Sequence, residues 1–555
     1  MQQSGVRNAR ALLTGAGLAA ALALAACTGP DDISLGGRVT ASTGTFLSPA
    51  GNDDNDGSRE HPWQTFSHAF RMLAEGSTLT LLSGTYDDAT TGTLNVRCGD
   101  AVITNSSAPN AVHAANGIRV TADADSERTA FIQGNGNVPP LSIDSCSDWT
   151  VNGLHVESQN TPDTANIYTA PDTGSVVVLD GPNNRVTLRR LLALKPNLYK
   201  HSHLIRVGDG STDVSVQESE LYDFHHNAIE VWRSTSTVLQ RNYINSRDTA
   251  DIMNGYMSDD PRRGDYGVLL EETNGAYVEN NIVEDVSVGF GVVGRYAGVG
   301  ADVPAPPGNI DNNHLNGNIV YDPANIGFRI DSRCQILPAS VPACDALHTV
   351  RETDLTDDVV IGGATGVSDA GSVATTLSKL STINAARGVV LQREMQNLGL
   401  QASDHASNML FDGFQSVAFA ATDQMMWGCD HCAAVGGYTP ADDYEPDDAQ
   451  FVTNKVNVMP ELGGCLVYLP ANSPLKGAGT FGDDVGASVV DQYDNGVIKT
   501  PVVPLWDATG VFRACGAIVT AIDGKPINGD DTSNCHGLGG PTRLNVASAT
   551  CPLPP

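Results

Sequence analysis

Five charged residues and one Trp fall at repeated places in an apolar alternation. Arg206, Glu230 and Arg329 each stand between two apolar residues, in Ile205-Arg206-Val207, Ile229-Glu230-Val231 and Phe328-Arg329-Ile330. Trp232, Glu271 and Asp331 directly follow the second apolar residue of the same motif. Guanidinium groups meet carboxylates with two parallel hydrogen bonds, and a neutral imidazole accepts a proton near pH 7. His225 and His226 come just before the Ile229 motif, and Lys195 and Lys200 come before Arg206. Together these types supply what a β-elimination beside a carboxylate requires. Arg206, Arg329 or a bound cation neutralises the carboxylate, and Lys200 or His226 takes the adjacent proton. Glu230 and Glu271 offer a second chemistry, glycoside hydrolysis by paired carboxylates, whose separation decides retention or inversion. Trp232 presents a flat apolar face of the kind sugar rings stack on, with Asp331 in the same column. The run 248–265 gathers Asp248, Asp251, Asp259 and Asp260 with Arg262 and Arg263, and such oxygens are ligands for Ca²⁺. The plain alternative is that Arg206/Glu230 and Arg329/Asp331 are surface ion pairs of at most about 1 kcal/mol each.

These residues are positioned by a recurring phrase. Ser219-Glu220-Leu221-Tyr222-Asp223, Asn281-Ile282-Val283-Glu284-Asp285 and Asn318-Ile319-Val320-Tyr321-Asp322 share a polar start, an apolar centre and a closing Asp. Asn242 to Ser246 fits with Ser for Asp, and Asn408 to Asp412 repeats the phrase further on. Ser219 to Asn242 is 23 residues, and the next steps of 39 and 37 accommodate the Pro/Gly/Asp-rich runs 248–265 and 296–311. A period near 23 with insertions marks a solenoid. The alternation beside the phrase has period two, so the coils are strands. Ile205/Val207, Ile229/Val231, Val268/Leu270, Phe290/Val292 and Phe328/Ile330 take the inward places, which predicts that Arg206, Glu230, Trp232, Glu271, Arg329 and Asp331 point outward. With coils stacked about 4.8 Å apart, Asn242, Asn281 and Asn318 form an inward ladder of amides. The two insertions then wall a groove on the outward face, suited to a chain-like ligand.

Phe46 to Ser58 is rich in Asp and Gly, Pro62-Trp63-Gln64-Thr65-Phe66 follows, and Phe66, Ala69, Phe70 and Leu73 trace a short helix before Gly76 to Tyr86. This passage resembles the opening segment of secreted right-handed parallel β-helix proteins, among them polysaccharide lyases of the family-9 pectate lyase kind. The resemblance implies an all-β, single-stranded parallel β-helix over 45–487 whose first coil is covered by the short helix. Asn472 to Gly479 and Asp484 to Ala487 resemble the closing segment of the same proteins. In that family a Lys base is paired with an Asp-rich Ca²⁺ site, and no motif of this chain matches either residue by residue. Asn52 to Gly57 half resembles an EF-hand loop, but without a closing Glu it reads as a turn cluster.

At the start of the chain, Arg7 and Arg10 precede the apolar run Leu18 to Ala26, as in a bacterial export signal. Leu24-Ala25-Ala26-Cys27 resembles a lipobox, which implies a lipidated Cys27 after a signal at 1–26, with a tether to residue 44. The expected location is the cell envelope, outer membrane, with membrane contact through the lipid only. Of 11 Cys, 10 follow Cys27, an even set compatible with disulfides outside the cytoplasm. Proximity favours Cys334 with Cys344 and Cys429 with Cys432. Cys429-Asp430-His431-Cys432 could instead hold a metal, but no second such pair is present. Residues 488–555 read as a small Cys-tied appendage. With 64 acidic and 32 basic residues, net charge −32, nucleic acid is excluded as the default partner. The leading expectation is a lipoprotein that binds, and by elimination cleaves, an acidic polysaccharide, with Ca²⁺ as its cofactor. The rival is a non-catalytic adhesion or spacer lipoprotein, since fold alone does not imply an enzyme.

Overall fold

Three-residue apolar-centred strands recur because the chain turns a corner after each one. The protein, seen in a computed structural model, is described over residues 44–99, 111–123, 128–159, 174–194, 202–208, 210–246, 264–294, 310–332 and 349–392, with shorter stretches beyond that include 405–412, 417–421, 432–435 and 473–487. A typical coil runs through Ser215–Gln217, Glu220–Tyr222 and Asn227–Trp232 before Val238–Gln240 opens the next. Among the described residues the coils stack into three parallel sheets of 12, 13 and 12 strands, giving a right-handed parallel β-helix, the hand that parallel crossovers favour. We call these the first, second and third sheet in the order in which a coil visits them.

The corner between the first and second sheets is two residues long in every coil from Gly153-Leu154 to Asn408-Met409. Its first residue is left-handed throughout, as at Glu218 (φ 51°), Arg241 (φ 53°) and Asn280 (φ 55°). Its second residue points inward and builds the amide ladder. Asn281 Oδ1 accepts from the backbone N–H of Asn242 at 3.0 Å and from its side-chain amide at 2.9 Å. Asn281 Nδ2 donates to Leu239 O at 2.9 Å and to Asn318 Oδ1 at 3.0 Å. Asn318 repeats the pattern on Val278 O and Asp358 Oδ1. The ladder runs Ser219, Asn242, Asn281, Asn318, Asp358, and Leu191, Leu380 and Met409 take the same place at its ends. One reading of the sequence is corrected here. Leu410 pairs with Ser381, so Met409 holds the ladder position and Asn408 is the left-handed corner residue (φ 55°), one place earlier than the phrase implies.

The third sheet packs close to the second. Gly267, Gly289 and Gly327 precede inward residues, and a Cβ on Gly267 would lie 2.3 Å from Val283 Cγ1. Phe290 and Phe328 stack inside at 5.1 Å. The opening is covered as expected by the helix Phe66–Met72, whose Phe66, Ala69 and Phe70 are buried. Thr65 caps it by accepting from His68 N–H. Asp53 in turn accepts from Gln64 N–H, Thr65 N–H and Thr65 Oγ1, so the Asp-rich loop works as a turn and cap. Burial would raise the Asp53 carboxyl, and the Thr65 and Gln64 hydrogen bonds outweigh it and hold it low. At the far end Thr480 N–H and Gly486 N–H meet Asn408, which lays 473–487 on the last coils. Cys98 is bonded to Cys146, a pair proximity in sequence does not reveal, because adjacent strands place Arg97 beside Asp144. Cys432 is also disulfide-bonded. Cys27, Cys334, Cys344 and Cys429 and residues 490–555 lie outside the described residues.

Candidate functional site

The outward columns of the third sheet hold the register expected from the alternation. Arg206, Glu230, Leu269, Gly291 and Arg329 pair in succession, and beside them run Trp232, Glu271, Val293 and Asp331. All six outward candidates therefore share one face. They do not form one continuous charged floor. Glu230 and Arg329 are three strand steps apart, roughly 14 Å, and the apolar group Tyr266, Leu269, Val288 and Val293 lies between the strands that carry them. The result is two polar centres on one face.

The first centre surrounds Glu230, which is only 7 % exposed. Its Oε1 lies 3.5 Å from Arg206 Nε, and its Oε2 lies 3.3 Å from His203 Nδ1 and accepts from Asn227 Nδ2 at 2.9 Å. Arg206 also approaches Asp180 at 3.8 Å and lies over the Trp232 ring at 4.9 Å, with Arg233 near the same ring at 5.8 Å. Trp232 is thus a half-buried cation–π partner of two guanidiniums rather than a bare platform. His226 Nδ1 is 2.8 Å from Asp265 Oδ2, and its Nε2 is 3.3 Å from Asn227 Nδ2. Two imidazoles and a carboxylate, His203, His226 and Glu230, converge here as potential metal ligands.

The second centre is Arg329. Its NH2 and Nε meet Asp331 Oδ2 at 2.5 and 3.1 Å, and its NH1 donates to Tyr266 OH at 3.1 Å. Burial disfavours the guanidinium charge, but Tyr266 and Asp331 outweigh it and keep Arg329 firmly charged. Asp331 is buried, so this pair is not the solvent-exposed ion pair of the plain alternative. Glu271 stands opposite Trp232 and Val293, in a different column from Glu230.

Sequence reasoning missed His203, Asn227 and Tyr266 for a definite reason. Strict alternation back from Ile205, Ile229 and Val268 sends them inward. The pairing instead passes from His203–Asn227–Tyr266 directly to Ile205–Ile229–Val268 and skips the residue between. That residue, Ala228 or Gly267, faces the core, and the three side chains before it join the outward face. In the sequence Asp265 merely closes the charged run 248–265. Its partner is visible only once the strands are stacked. Lys200, Asp248, Asp251, Asp259 and Asp260, with most of the two insertions, lie outside the described residues.

No family model matches this chain, and no curated protein matches it. Among solved structures it is similar to the A-module of a mannuronan C-5 epimerase of Azotobacter vinelandii, at 12% identity and TM-score 0.41 over 69% of this chain and 87% of that one. It is similar to pectate lyase Pel9A at 14% identity and TM-score 0.36, over 80% and 96%. A family 28 exopolygalacturonase of Yersinia enterocolitica gives 12% and 0.40, over 70% and 78%.

Proposed function

We propose that the outer face of the third sheet binds an acidic polysaccharide and cleaves it by β-elimination. The observation that carries this is the pair of guanidiniums in one column, Arg206 and Arg329. They are four strand steps apart, roughly 19 Å, so a polymer laid along the coils meets both with its carboxylates. Arg329 is the better neutralising group, since its side chain is 31 % exposed beside one carboxylate, Asp331, whereas that of Arg206 is 12 % exposed between Asp180 and Glu230. The proton acceptor is Lys200 or His226. Asp265 on His226 Nδ1 supports the tautomer in which Nε2 carries the lone pair. The arrangement favours elimination over hydrolysis, because Glu230 is engaged by His203, Arg206 and Asn227 and shares no column with Glu271. The proposal includes Ca²⁺ on Asp248, Asp251, Asp259 and Asp260, and export to the cell envelope with a lipid on Cys27.

The test is an assay of the purified protein on uronate polymers, with and without chelator, following the ultraviolet absorbance of unsaturated product. Product is expected with at least one polymer, and Arg329→Ala should reduce it about 100-fold or more, the order for loss of a charge-stabilising donor. Binding without product would reduce the reading to a non-catalytic surface lipoprotein. No binding to any uronate polymer would overturn it.

A further inference from the structure

The first polar centre contains more than a polymer contact. A ligand atom each from His203, His226 and Glu230 lie within 4.8 Å of one another, with His203 and Glu230 buried and His226 half-buried. We infer that these three side chains are a binding site for a divalent transition-metal ion. The inference rests on the polysaccharide reading for where the ion acts, and it narrows that reading: with His226 on the ion, the proton acceptor is Lys200.

Three features support the site. The donor set is two imidazoles and one carboxylate, which suits Zn²⁺, Co²⁺ or Mn²⁺, whereas Ca²⁺ takes oxygen ligands. Spacing agrees with this. Two donors about 2.05 Å from one ion at a tetrahedral angle are roughly 3.3 Å apart, and His203 Nδ1 is 3.3 Å from Glu230 Oε2. Orientation agrees as well. Asp265 Oδ2 at 2.8 Å from His226 Nδ1 is the outer carboxylate that fixes a ligating imidazole and presents its other nitrogen. Asn227 Nδ2 donates to Glu230 Oε2 at 2.9 Å and lies 3.3 Å from His226 Nε2, so this amide bridges two of the three donor atoms and turns aside when an ion takes its place between them. The three donors come from the strands His203–Val207 and Asn227–Trp232 and the turn before the second, so stacked backbone sets the geometry. Three protein ligands leave positions for water or a substrate carboxylate.

The experiment uses the full chain, stripped with chelator and titrated with Zn²⁺ by calorimetry and with Co²⁺ by visible absorption, without polysaccharide. One equivalent is expected, with a Co²⁺ ligand-field band, and His226→Ala and Glu230→Gln should each weaken binding about tenfold or more. Asp265→Asn should weaken it less and shift the Co²⁺ band, while His314→Ala, on the first sheet, should leave both readouts unchanged. Circular dichroism checks the variants' fold, and the wild-type titration decides the matter if a variant does not fold. Absence of Co²⁺ or Zn²⁺ binding by the wild type, or undiminished binding by folded His226→Ala and Glu230→Gln, would overturn the site. If the wild type binds uronate polymers but no ion, this inference fails alone. If it binds the ion but no polymer, the functional reading fails alone.

Discussion

Replacing Asn281 with Leu tests the ladder at its centre. The change removes four hydrogen bonds: two accepted from Asn242, one donated to Leu239 O and one donated to Asn318 Oδ1. Shape is not the obstacle, since Leu191 and Leu380 occupy the equivalent place in other coils. Two backbone groups, Asn242 N–H and Leu239 C=O, lose a buried partner at about 1–3 kcal/mol each. Burial of the Leu side chain returns about 1.5–3 kcal/mol. The net loss centres on about 1–3 kcal/mol, and in a solenoid it stays with neighbouring coils. Hydrogen exchange read by mass spectrometry is therefore the assay. Segments 238–245 and 277–284 should exchange about 5- to 150-fold faster, while the helix Phe66–Met72 and the strand Leu141–Asp144 should not change. Unaltered exchange around Asn242, or equal acceleration everywhere, would refute the ladder as a local source of stability.

Asp358 ends the ladder as a buried carboxyl. Burial pushes it well above its usual range against the hydrogen bonds from Asn318, so the folded protein loses stability as pH rises from the unfolded value, about 3.9, towards the folded one. Asp358→Asn should raise the thermal midpoint at pH 7 and not at pH 3, and an equal shift at both would count against the assignment. Trp232→Ala should weaken polymer binding without unfolding the protein. A lowered melting temperature with binding intact would show that the Arg206 and Arg233 contacts are structural only. Cys27→Ser should release the protein from membranes or leave it unprocessed, and unchanged fractionation and lipid labelling would count against anchoring.

The sequence disclosed what repeats. Apolar alternation around Ile229/Val231 and Phe328/Ile330 was enough to place Glu230 and Arg329 on one face, because a one-residue slip would have moved every side chain inward. It also placed Asn242, Asn281 and Asn318 in one ladder. It misassigned Asn408, because Asn suits both an inward amide position and a left-handed corner. It missed His203 and Tyr266, whose outward direction depends on a skipped residue that period-two counting does not register. The Cys98–Cys146 bond and the His226–Asp265 pair depend on which strands are stacked, and insertions of unequal length hide that from a linear reading.

The invariant two-residue corner separates two kinds of change. Spacing between the first and second sheets is constant from Gly153 to Met409, whereas the runs 247–263, 295–309 and 333–348 all enter or leave strands of the third sheet. A mutation that lengthens the chain where it enters or leaves that sheet therefore need not disturb the amide ladder. Duplication of a whole 23-residue unit such as 219–241 would extend the stack by one storey and widen the third sheet by one strand spacing. Such a chain can acquire a longer or differently bordered third sheet by copying and insertion alone, with its folding instructions kept at the corner between the other two sheets.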